Sequence, residues 1–196
     1  MSKDPQSLPL EKLPQVTAFQ DEFTRKFMDS TEPVKEGYYL FRSGVNGYTM
    51  LFPEGAKLSE RGYSAPDKFF ETIDFGGEEK NVTYYVRIEY HFSGTVNLID
   101  SQLDSFRSEA HYNGEFKKRE VGQKIMYIGN NEFLSDHKED TAYNFFGFIK
   151  SKESNQGIRF FYSVTCLDAK KTCHLDVRKE EEQARILMES ITFIEK

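Results

Sequence analysis

Val82-Thr83-Tyr84-Tyr85-Val86-Arg87-Ile88-Glu89-Tyr90-His91-Phe92 is a run rich in β-branched and aromatic residues that alternates cleanly. Tyr84, Val86, Ile88, Tyr90 and Phe92 fall on one parity, and Thr83, Tyr85, Arg87, Glu89 and His91 on the other. Successive side chains of a β-strand point to opposite faces, so this period of two predicts a long strand with one core face and one polar face. Phe69–Phe75, another β-rich run, precedes it, and Gly76-Gly77 is the expected turn joining the two as a hairpin.

Upstream, Gly37–Ser43 and Tyr48–Phe52 flank Asn46-Gly47, a strong hairpin signal, and Pro53 and Gly55 stop the second strand. Further back, Val16, Phe19, Phe23 and Phe27 are spaced three, four and four apart, which predicts one helix from Pro14 to about Ser30. Glu32-Pro33 ends it, because a residue before proline is pushed out of the helical region. Residues 1–13 are polar and Pro-containing, and are expected to form a flexible segment ahead of a single domain over 14–196.

Downstream, Ile99, Leu103, Phe106 and Ala110 predict an amphipathic helix to about His111. Tyr112–Gly122 is expected to be a loop or poor strand, with Lys117-Lys118-Arg119 a solvated face. Strands are expected at Lys124–Ile128, Ala142–Lys150, Gly157–Leu167 and Thr172–Val177, a helix at Arg178–Glu189, and an edge at Ile191–Ile194. Strands in runs, broken by three helices, indicate an α+β domain with a mostly antiparallel sheet.

Composition agrees. Phe, at 18, outnumbers Leu; Tyr adds 11 rings and Trp is absent, a balance suited to half-buried pleated surfaces. The formal charge of −6 argues against nucleic-acid or anionic-membrane binding, which needs clustered Lys and Arg. No apolar run approaches the ~20 residues of a spanning helix. The G-x-S-x-G elbow, the P-loop and the dinucleotide fingerprint are all absent. His91, His111, His137 and His174 lie on separate segments without ligand spacing, so neither a metal nor another cofactor is expected.

Two segments resemble a known family. Asn46–Leu58 is similar to the opening of the PsbP-like and Mog-like proteins, where an aromatic strand ends at a proline and an extended segment follows. Arg185–Phe193 is similar to their last helix and closing Ser-x-x-Phe strand, although Ala56 stands where many relatives carry Trp. The resemblance spans residues 37–196 in its order of elements. It implies an α/β/α sandwich with an antiparallel sheet, used for binding or assembly in families that include bacterial envelope lipoproteins. The polar start, Ser2-Lys3-Asp4-Pro5, resembles the stretch after a lipidated cysteine, with Met1 standing where that cysteine would be.

A non-enzymatic extracytoplasmic lipoprotein is therefore expected, with the membrane reached only through a lipid anchor and its partner an envelope protein or small ligand. Its candidate contact residues are Tyr85, Arg87, Glu89 and His91, a mixture of aromatic and charged groups suited to partner contact unless a helix covers them. A tight turn at 168–171 would oppose Cys166 and Cys173 within disulfide range, and an oxidising envelope would permit the bond; in a cytoplasmic protein they would stay thiols. One alternative is a lipid-like ligand held between the sheet and the helix of Phe19, Phe23 and Phe27. Another is an enzyme using His174 and Asp176 on one face of a strand, a pair able to act as general base.

Overall fold

The alternation at 82–92 forms the long strand it predicts, in a computed structural model that describes residues 5–134, 141–167 and 173–195. The chain runs through α1 (Thr17–Gln20), α2 (Glu22–Arg25), β1 (Tyr38–Arg42), β2 (Tyr48–Pro53), β3 (Lys57–Leu58), β4 (Ser64–Asp67), β5 (Phe70–Glu79) and β6 (Val82–Phe92). It continues through α3 (Ile99–Ala110), β7 (Lys117–Val121), β8 (Lys124–Leu134), β9 (Thr141–Ser151), β10 (Gln156–Cys166), α4 (Val177–Ser190) and β11 (Thr192–Phe193). The large sheet is antiparallel in the order β3-β5-β6-β10-β9-β8-β7, with β4 also on β5. A smaller antiparallel sheet runs β1-β2-β11.

The inner face of the large sheet supplies Ile73, Phe75, Val86, Ile88, Tyr90, Phe160 and Tyr162 to the main core. Met50 and Phe52 of the small sheet, Leu187 of α4 and Phe19 of α1 close it from the other side. Phe52 meets Phe75 with ring centroids 4.9 Å apart, and Tyr48 meets Tyr90 at 5.6 Å. On the outer face, α3 lays Leu103, Phe106 and Ala110 on Phe146 and Phe148 as a second apolar cluster. The result is the expected α+β sandwich with mostly antiparallel sheets.

Several local expectations change. The β5–β6 turn sits at Lys80-Asn81, both with positive φ (49° and 68°), the backbone of a two-residue primed turn. Gly76 and Gly77 stay inside β5 opposite Tyr85 and Tyr84, and a Cβ on Gly77 would come 2.9 Å from the Tyr84 ring. Their role is close approach and not turning. The predicted first helix breaks in two at Asp21, whose carboxylate accepts from Thr24 N at 2.8 Å and Thr24 Oγ1 at 2.7 Å. Asp favours such a cap over a helix interior, and the aromatic stripe still buries Phe19 and Phe27.

Residues 5–13, expected to be flexible, hold two 3₁₀ turns, bury Pro5 and Leu13, and donate from Gln6 Nε2 to the Arg25 carbonyl at 3.0 Å. Lys117–Val121 is an edge strand and β8 runs on through Gly129-Asn130. Residues 173–176 lie outside any strand, and α4 begins immediately after them.

Candidate functional site

Helix α3 covers only half of the outer face. It sits over β8, β9 and β10, where Tyr127, Phe146, Phe148 and Phe161 join its cluster; on the β5–β6 half Asp74 is buried, Arg87, Glu89 and His91 are half-buried, and Tyr85 is exposed. Tyr85, Arg87, Glu89 and His91 all lie on that half, as consecutive outward positions of one central strand. Arg159 of β10 marks the seam: its guanidinium rests over the Phe106 ring at 4.9 Å, pairs with Glu109 of α3, and lies 3.5 Å from Glu89.

The four side chains differ in freedom. Arg87 reaches Asp74 of β5 through two hydrogen bonds, Nε to Oδ1 and Nη2 to Oδ2, both 2.8 Å. That forked contact holds the guanidinium protonated well above its ordinary value. Glu89 leans on Arg159. The His91 ring packs edge-on against Phe70 at 4.9 Å, and burial, then the Arg159 charge, push its pKa down. Tyr85 is the open member, 40% exposed, and burial of its phenol together with the neighbouring Asp74 raises its pKa to about 12, so it stays a neutral donor and acceptor. A shallow cavity of about 420 Å³ beside it is lined by Lys57, Leu58, Asp74, Phe75 and Gly76 as well. The arrangement offers a fixed ion pair, one exposed ring and a neutral imidazole.

The other candidate residues are dispersed. Asp176 caps α4, its Oδ1 accepting from Arg178 N at 3.1 Å and Lys179 N at 3.2 Å, so its carboxylate is occupied beside an exposed His174 and the two share no strand. Cys166 and Cys173 form a disulfide with Cα atoms 6.1 Å apart, while the turn expected between them falls outside the described residues, as does His137. Phe19 packs edge-on against Tyr39 at 4.7 Å, and Phe23 and Phe27 both meet Tyr63. Among the described residues, no group of three His, Cys, Asp or Glu could hold a metal, and no helix is long and apolar enough to cross a membrane.

Buried charge is what the sequence reading overlooked. Glu71 shares the inner face of β5 with Ile73 and Phe75, and its Oε1 accepts from Gly44 N at 2.7 Å and Tyr63 Oη at 3.3 Å. Glu180 of α4 is buried as well and accepts from Tyr162 Oη. Lys124 of β8 is 7% exposed and donates to the carbonyls of Glu189 and Ile191 at the end of α4. Period-two parity put Glu71 among core residues, which was the available signal.

A family model described as "Putative lipoprotein YvcA" matches residues 14–192. The protein of that description from Bacillus subtilis (strain 168) is 34% identical over 197 residues, spanning 97% of this chain and 82% of its own length. A crystal structure from Bacteroides thetaiotaomicron is 12% identical with a TM-score of 0.46, covering 83% of this chain and 50% of the other.

Proposed function

The chain belongs to the YvcA lipoprotein family, and from that premise we propose that it is an extracytoplasmic, lipid-anchored binding or assembly protein without catalytic activity of its own. Its working surface is the β5–β6 half of the outer face, and its partner is another envelope protein. The single observation that carries this reading is the coverage: α3 buries one half of the face and leaves Tyr85 exposed on a central strand of the other. A ring held by a sheet loses little side-chain freedom on contact, and aromatic residues are enriched at the centres of interfaces. The Cys166–Cys173 bond suits an oxidising compartment.

Arg87 is a poor probe of that surface, because reversing its charge would set a glutamate against Asp74 and disturb the fold. Tyr85 is the better one. A photo-crosslinking side chain at Tyr85 should give a discrete adduct in intact cells, and the same group at exposed Lys80 should not. Equal labelling from both positions would remove this face from the proposal.

A further inference from the structure

A second cavity, of about 620 Å³, lies where the β7–β8 turn, the β9–β10 turn and the end of α4 meet. None of Tyr85, Arg87, Glu89 or His91 lines it, so it is separate from the β5–β6 contact surface. We propose that this cavity binds a neutral saccharide of one or two rings.

The back of the wall is formed by buried, hydrogen-bonded side chains. Gln156, 1% exposed, places Nε2 3.0 Å from the carbonyls of Gly47 and Ile194 and from Tyr90 Oη, three acceptors around its two N–H groups, and accepts at Oε1 from Ser154 Oγ at 2.7 Å. The buried Lys124 ammonium has three donors, and the carbonyls of Glu189 and Ile191 take two, leaving one for a group inside the cavity that Lys124 lines. A volume of this size is ordinary for a small-ligand site.

The remaining lining selects the ligand class. Among the described residues, the carboxylates of Glu153 and Glu195 and the amide of Gln123 carry no hydrogen bond or ion pair, whereas Glu189 is held by Arg119 and Arg185. Ionised carboxylates only accept, an ammonium only donates, and an amide does both. Sugar hydroxyls, each donor and acceptor at once, satisfy all three in one ligand. An anion would meet Glu153 and Glu195, and a cation would meet Lys124 across the same space. Val121 and half-buried Phe193 add apolar ground to the lining, the counterpart of the C–H face of a pyranose ring.

The test is amide-resolved NMR titration of the folded protein with glucose, N-acetylglucosamine, cellobiose and chitobiose, and with spermidine and glucuronate as charged probes. We expect at least one neutral sugar to give saturable shifts concentrated in residues 121–124, 151–156 and 191–195. Replacing the exposed Glu153 and Glu195 together, Glu153→Ala with Glu195→Ala, should weaken that binding at least tenfold and leave the rest of the spectrum in place. Silence of these amides toward every neutral sugar up to about 20 mM would overturn the proposal. So would sugar shifts that map elsewhere, or a response to spermidine or glucuronate alone.

Discussion

Arg87 and Asp74 face each other on adjacent antiparallel strands and lock together through two parallel 2.8 Å hydrogen bonds on the outer face of the large sheet. Asp74 is nearly buried while Arg87 keeps 44% of its side chain exposed, so the carboxylate depends on the guanidinium more than the reverse. Asp74→Ala should therefore cost about 1–2 kcal/mol of folding stability, after allowing for solvent on the Arg87 side, whereas Tyr85→Ala should cost under about 1 kcal/mol. Urea denaturation of the two variants checks this order, and equal losses would contradict it.

Reduction of the Cys166–Cys173 disulfide should lower stability by about 2.5 kcal/mol, the chain-entropy value for a loop this short. A lower urea midpoint in reductant with an unchanged slope is the expected result. Thiol titration of the denatured, unreduced protein should find none free.

Opposite pH dependences are expected at two carboxyls. Burial pushes the Glu71 carboxyl above its ordinary 4.5 despite its hydrogen bonds, so the native state holds that proton more tightly than the unfolded chain. Its contribution is fully present below 4.5 and is lost as pH rises through the raised native value. At Asp29 the hydrogen bonds from Arg42, 2.8 Å and 2.9 Å, hold the pKa below 3.8. That contribution is present above 3.8 and is lost as pH falls through the lowered native value. Glu71→Gln keeps an acceptor for Gly44 N, and should flatten the decline of stability above pH 4.5 while leaving the acid limb in place, as read from urea midpoints against pH.

Lys124→Met should cost about 1–3 kcal/mol, because it keeps the apolar stem but removes the donor from two carbonyls at the end of α4. Burial lowers the Lys124 pKa to about 8, so the wild-type ammonium is still largely charged at neutral pH and those carbonyls have their partner. Thermal melts of the two proteins at pH 7 give the comparison.

Parity made most of the large sheet legible: β6, β9 and β10 lie where their alternation or β-rich runs put them, and α3 follows from Ile99, Leu103, Phe106 and Ala110. What escaped was set by contacts distant in sequence. Gly76-Gly77 looked like a turn because the Tyr84 ring that needs the room comes from the next strand. The Asp21 cap interrupted a helical stripe whose aromatic spacing was sound. The four candidate residues sit together because one strand carries them all, but Asp74 and Arg159, which tie two of them down, are on other strands and invisible to spacing. Lys124 could not be singled out among surface lysines, because only the folded chain brings the end of α4 to it.

Fractionating cells that make the native gene product and weighing its mature N-terminus decides whether the protein is anchored in the envelope. The predicted result is a detergent-extractable membrane form, cleaved by protease added outside the cell membrane, with a diacylglycerol-modified cysteine at its first residue. A soluble cytoplasmic form with an unmodified N-terminus would contradict it.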